Sequence, residues 1–265
     1  MRRNSMLALA LALALCVAAF SAPTIAQSGT PSSKATADVN TLVRCTMSAV
    51  SNEGITLPAS CVDLFSGDAV PVVGSTWIEI ASKPVKLSNS QSLFVSPSLV
   101  TGLYTRTRTK TSDGSTSTAQ AEGAVYLRAA LIDSNGRQIV AEPLARCSAS
   151  ILGCTQKSNY WGVVLDSRIQ SLTQDITACT VLVDSISGTC DFTSTIDFIL
   201  QTASANTFNF VFPNVGQGVY TLKVYAGVGS DASIIAGSGT AVGAAAFGLG
   251  SVTAESVRLV HGFDF

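Results

Sequence analysis

The chain has 265 residues, a formal net charge of −1 and only 12% charged residues, about half the roughly 25% of an ordinary soluble domain. So weak a charge excludes the basic footprint of a nucleic-acid binder. The length suits one large all-β domain or two small ones.

Arg2 and Arg3 open the chain, an apolar run follows from Met6 to Phe20, and Thr24-Ile25-Ala26 offers small residues just before Gln27. This is the layout of a secretory signal peptide over residues 1–26, with an apolar run too short to span a membrane. Ser5 sits where a twin-arginine signal wants an apolar residue, and Leu15 before Cys16 does not suit a lipoprotein signal. The mature chain is therefore expected to be exported, periplasmic or extracellular, where disulfides persist.

Residues 27–38 are small and polar and read as a flexible leader, so the folded domain is expected over 39–265. Six cysteines remain after the signal: Cys45, Cys61, Cys147, Cys154, Cys179 and Cys190. An even count in an exported chain reads as three disulfides, and proximity pairs Cys45 with Cys61, Cys147 with Cys154 and Cys179 with Cys190. A zinc site is the rival reading, but the chain has no CxxC pair and a single histidine, His261.

Strand signals dominate the rest of the chain. Thr76–Ile80 and Ser92–Val95 are short β-rich runs between turn formers. Leu99–Lys110 reads as a longer strand whose distal part, from Thr105, is polar on both faces and is expected to project past the core into water. Residues 111–117 read as a hairpin loop. On the return, Ala121, Gly123, Val125, Leu127, Ala129 and Leu131 share one face. Residues 133–136 form the next turn, before a strand through Gln138, Ile139 and Val140. Trp161–Leu172 reads as a strand or a short helix. Ser194–Gln201 is again patterned. Phe208, Phe210 and Phe212 alternate, residues 213–218 turn, and Tyr220, Leu222 and Val224 alternate on the way back, as in a hairpin. Residues 227–250 hold seven glycines and many alanines, and read as a pliant connection with one short strand at Ser233–Ala236. Ser251–Val260 is the closing strand.

The stretch Pro213–Val224, Pro-x-x-x-x-Gly-x-Tyr-x-Leu-x-Val, resembles the penultimate hairpin of immunoglobulin-like and jelly-roll β-sandwiches. By that resemblance Tyr220 hydrogen-bonds back to the loop backbone, as in a tyrosine corner. The wider layout resembles secreted bacterial β-sandwich proteins without a characterised activity. The expected fold is a single antiparallel β-sandwich, jelly-roll or immunoglobulin-like, stapled by disulfides.

Catalytic equipment is thin. His261 lies four residues from the C-terminus and reads as a strand-end residue; no GxSxG elbow is present. Asp113, Asp133, Asp184, Asp191 and Asp231 read as turn residues that cap their own backbone. Glu79, Glu122, Asp166 and Asp197 fall in strand-like segments facing solvent, and two of them converging would provide the carboxylate pair of a glycosidase. Asp184 and Asp191 around Cys190 are the candidate holders of a Ca2+ ion, the one cofactor considered. Tyr160 and Trp161 point to opposite faces of a strand, and one of them is the candidate ligand contact, whereas Trp77 reads as core. The C-terminal run ending in Phe265 resembles the closing strand of an outer-membrane β-barrel.

These observations favour an exported, non-enzymatic binding or surface-structural module. The partner would be a glycan, an envelope protein or another copy of the chain. The alternatives are a secreted carbohydrate-active hydrolase using a carboxylate pair and a small outer-membrane β-barrel.

Overall fold

The structure is a computed structural model that describes residues 35–61, 77–112, 114–141, 162–177, 180–183, 186–189 and 193–257. The strands are β1 (Ala35–Asn40), β2 (Arg44–Ser51), β3 (Trp77–Leu87), β4 (Gln91–Ser112), β5 (Thr116–Ile132), β6 (Gln138–Val140) and β7 (Val163–Asp175). They continue as β8 (Thr180–Val183), β9 (Ile186–Thr189), β10 (Thr193–Thr207), β11 (Phe210–Val215), β12 (Gly218–Ala236) and β13 (Ser238–Val257).

Two antiparallel sheets face one another. The first runs β1-β13-β4-β10, with β2 sharing the β1 edge beside β13 and β11 sharing the β10 edge beside β4. The second runs β3-β12-β5-β6, with β7 also on β5. Each sheet is thus four positions wide, and successive long strands alternate between sheets except β5 and β7, which pair within the second sheet. That order is the jelly-roll arrangement of two Greek keys, and it decides between the two sandwich types expected. Strands β8 and β9 form a separate two-stranded ribbon. Two stacked sheets are not the single closed sheet of a membrane barrel.

Alternation of apolar residues predicted the strands, but not which strands pair. β4 and β5, although joined by residues 113–115, lie in different sheets; so do β11 and β12, and β12 and β13. The two expected hairpins are therefore arches that carry the chain across the sandwich. Pairing within one sheet does follow the turn at 133–136, where Ala130 meets Val140 and Ile132 meets Gln138. There Asp133 Oδ1 accepts the Asn135 and Arg137 amides at 2.9 and 2.8 Å, the expected turn cap. These amide bonds, with Arg137 alongside, hold the Asp133 carboxyl below its ordinary range.

Two further expectations change, and one open reading is settled. The glycine- and alanine-rich stretch 227–250 is not a pliant connection but most of β12 and β13, the two central strands. Small residues are needed there because the sheets nearly touch. A Cβ on Gly243 of β13 would overlap the carbonyl oxygens of Glu122 and Asp231 in the opposite sheet. The segment that admitted a short helix is strand β7. The leader's last residues, 35–38, belong to β1, which pairs with β13 from Ala35↔Glu255 to Asn40↔Gly250.

The apolar core occupies one end of the sandwich. Leu93, Val95, Leu99, Leu103, Phe210, Phe212 and Phe247 of the first sheet meet Val85, Val125, Leu127, Leu131, Leu222 and Val224 of the second. The predicted inward face of β5 is confirmed, with Ala121, Val125, Leu127 and Leu131 fully buried. Tyr220 also behaves as the resemblance implied: its hydroxyl donates to the Gly216 carbonyl at 2.9 Å. Cys45 and Cys61 form a disulfide, with Cα atoms 6.2 Å apart. It ties the 52–61 loop against the outer face of the first sheet, where Leu57 packs with Tyr104, Val242 and Ala244. Cys147, Cys154, Cys179 and Cys190 lie outside the described residues, as do the signal segment, His261 and Phe265.

Candidate functional site

The distal half of β4 does not project into water. Its inward residues Thr105, Thr107, Thr109 and Thr111 are all buried. They are covered by β7, which is paired to β5 so that Asp166, Gln170 and Gln174, four residues apart, face the first sheet. The match is residue by residue. Thr101 donates to Asp166 Oδ2 at 2.6 Å, Thr105 to Gln170 Oε1 at 2.6 Å, and Thr109 to Gln174 Oε1 at 3.0 Å. Gln170 Nε2 in turn donates to Thr107 Oγ1 at 2.6 Å and to the Phe198 carbonyl at 2.9 Å. A buried hydroxyl is tolerable only when its hydrogen bond is made, and this seam makes each of these.

Asp166 therefore faces the interior, not solvent. Its carboxylate also lies 3.3 Å from both Ser204 Oγ and Asn206 Nδ2, on β10. Arg168 Nη2 donates to Thr202 Oγ1 at 3.0 Å. The edges β7 and β10 are thus joined across the open side of the sandwich by polar side chains.

The other expected acids are dispersed. Glu79 pairs with Lys223 at 2.8 Å on the outer face of the second sheet, and this partner raises the Lys223 ammonium pKa. Asp197 takes a two-point contact from Arg106, with Nε–Oδ1 at 3.0 Å and Nη2–Oδ2 at 2.6 Å. The hydrogen bond to Asp197 raises the Arg106 pKa further. Arg108 next to it reaches Glu53 Oε2 at 3.0 Å and Asp197 Oδ2 at 3.9 Å. Glu53, supplied by the loop that the disulfide holds down, was not among the predicted residues. Its carboxylate is almost fully buried, and Oε1 has no partner. Tyr104 lies beside this cluster, with its phenol pKa raised by burial against the opposing pull of Arg106.

Among the described residues, one pair of predicted acids stands directly opposite across paired strands. Glu122 on β5 is the register partner of Asp231 on β12, which is mid-strand instead of in a turn. Burial raises the Glu122 pKa, a hydrogen bond from Gln120 Nε2 at 2.8 Å opposes the shift, and Asp231 adds to it. Tyr126 lies further along the same face. Its buried phenol has no hydrogen-bond partner, and its pKa is pushed up to about 12 by burial and by Glu122.

Aromatics gather further along that face. Trp77 is half-buried there and not in the apolar core, 6.3 Å from Tyr126 between ring centroids. The Arg128 guanidinium lies 5.2 Å from the Trp77 ring centre and 4.3 Å from that of Tyr225, within cation–π range of both. Tyr160 and Trp161, the expected contact residues, lie outside the described residues, as do Asp184 and Asp191, the expected Ca2+ ligands. Among the described residues no group of three or more His, Cys, Asp or Glu is placed to hold a metal ion.

No protein-family model matches the chain, and no curated protein matches it. Among solved structures, one of infectious bursal disease virus Gx strain aligns at 12% identity and a TM-score of 0.25, over 85% of this chain and 42% of that one. A structure of the Gt strain aligns at 10% identity and a TM-score of 0.18, over 86% and 43%. This chain thus spans less than half of the chains it aligns with. Likeness at this level carries no argument, and the fold assignment rests on the strand order.

Proposed function

We propose that the chain is an exported, non-enzymatic β-sandwich serving as a binding or surface-structural module, in the periplasm or outside a bacterial cell. The observation that carries this reading is where the acids go. Asp166, Asp197, Glu53 and Glu79 each engage hydroxyl, amide or cationic partners within the fold, so their chemistry serves cohesion. A glycan, an envelope protein or a second copy of the chain would be the partner.

Fractionation with intact-mass analysis tests it. The expected result is a chain beginning at Gln27, released by osmotic shock or found in the medium, that crosslinks to an envelope component or to itself. A cytosolic chain retaining residues 1–26 would overturn it.

A second reading, a secreted hydrolase, draws on one observation. A carboxyl with raised pKa opposite a second acid is the arrangement that separates a general acid from its partner in glycoside hydrolysis, and Glu122 opposite Asp231 has that form. Turnover of a panel of aryl glycosides and esters, lost in Glu122→Gln, would establish it in place of the module.

A further inference from the structure

We infer that the free edge of β10 is a self-association surface, where a second copy of the chain adds antiparallel through its own β10 and continues the first sheet across a two-fold axis. This rests on the module reading and deepens it by naming the partner.

The other strand edges of the sandwich are protected. A strand edge exposes unpaired amides and carbonyls, and proteins blunt it with charges, proline, bulges or short length. On the second sheet, β3 carries Lys83, Pro84 and Lys86 and its register with β12 shifts at Val224/Tyr225. β7 carries Arg168, and its register with β5 shifts at Val125/Tyr126. On the first sheet, one edge is divided between the short strands β1 and β2, and β11 contains Pro213 with a register shift after Phe212.

β10 carries no lysine, arginine, proline or bulge. It runs 15 residues without a register shift, from Thr193↔Ser112 to Thr207↔Ser98. Among described strands it pairs with β4 alone. Its single charged residue, Asp197, is already bound by Arg106, so two such strands would not repel. The strand is exposed along nearly its whole length, and it exposes Ile196, Phe198, Ile199 and Leu200 at 41%, 48%, 54% and 39%. Register fixes their sides. Ile196, Phe198 and Leu200 pair with Thr109, Thr107 and Thr105, so they share the face of the buried threonine stripe and overhang it.

The pattern is self-complementary. A two-fold axis through Phe198 sets Phe198 against its counterpart and Ile196 against Leu200 of the second copy, giving one apolar row on one face. Fifteen residues at about 3.4 Å each make an edge roughly 50 Å long, and with a sheet about 10 Å thick the pair buries roughly 1,000 Å² in total. That lies at the lower limit of specific interfaces, so the dimer is expected to be reversible and concentration-dependent.

Sedimentation velocity on the mature chain from about 1 to 200 µM tests the inference. A monomer–dimer equilibrium is expected, weakened by about tenfold or more in Phe198→Lys and in Leu200→Lys, because a charge at an edge blocks pairing. Ile169→Lys, at an exposed apolar site on the outer face of the second sheet, is expected to leave the equilibrium unchanged. Circular dichroism melting establishes that each variant is folded, and Phe198→Thr replaces any lysine variant that is not. A monomer at every concentration, or a dimer equally strong in the folded β10 variants, overturns the edge pairing. Neither result bears on export, which fractionation reads separately, and a hydrolytic chain would fail the module reading whatever its oligomeric state.

Discussion

At one end of the sandwich β4 contributes Leu93, Val95, Leu99 and Leu103 to an interior shared with Phe212, Phe247, Leu127 and Leu131. At the other end the same strand contributes Thr105, Thr107, Thr109 and Thr111, facing Gln170 and Gln174, while β13 contributes Ala241 and Gly243 against Ala119, Ala121 and the β5 backbone. Both ends are equally dry, since residues of both sets are fully buried. The first end gains stability in proportion to the apolar area it removes from water. The second gains little from area and depends on complete hydrogen bonding and on the absence of side-chain volume. Dryness alone therefore does not reveal what holds a region together.

The largest separation between the ends should come from truncating a large core residue. Phe247→Ala is expected to cost about 3–5 kcal/mol, read by urea unfolding, through lost burial and the cavity left behind. Adding a single methyl at the other end is expected to cost almost as much. In Gly243→Ala the new Cβ meets backbone carbonyls of Glu122 and Asp231, which cannot rotate away, so about 1–3 kcal/mol or more is expected. Were Gly243→Ala neutral, the close approach of the sheets would not be a feature of the folded protein.

Hydrogen bonding at the second end is tested by Gln170→Ala. It removes the acceptor for Thr105 and the donor to Thr107 while leaving both hydroxyls buried. A loss of about 1–3 kcal/mol is expected, again by urea unfolding. Thr107→Val combined with Gln170→Leu should recover part of it, because matched apolar replacement removes the stranded groups together.

The contrast explains which parts of the fold were legible in sequence. Period-two alternation in 121–131 and in 220–224 identified inward faces because those faces are apolar. The Tyr220 bond to Gly216 was readable because the Tyr and its turn are only four residues apart. The threonine stripe has the same alternation in spacing, but Gln170 and Gln174 lie 65 residues beyond the Thr105 and Thr109 they meet. Nothing local distinguishes a buried threonine from an exposed one. Gly and Ala in 227–250 weaken strand propensity, so their value for close sheet contact is invisible without the opposite sheet. Arches and hairpins share one local pattern, two alternating runs about a tight turn, and differ only in long-range pairing. Glu53 was missed for a related reason. It meets Arg108 only because the 52–61 loop folds back over the first sheet, and the sole sequence signal for that was the Cys45–Cys61 spacing.

The smallest effect expected concerns the outer face of the second end, where Glu122 stands opposite Asp231. Burial raises the Glu122 pKa above its ordinary value of 4.5, and Asp231 reinforces the shift. A carboxyl whose pKa is higher folded than unfolded binds its proton more tightly in the folded state, so ionisation opposes folding. The penalty is absent below the unfolded value, grows as pH rises through the interval up to the raised folded value, and is constant above it. Glu122→Gln keeps an oxygen to accept from Gln120 and removes the charge. Its melting temperature should therefore exceed that of the parent by about 1–3 °C at pH 7 and equal it at about pH 4. A variant equally shifted at both pH values would trace the effect to packing, and a less stable variant at pH 7 would mean that the ionised carboxylate is held by a favourable partner.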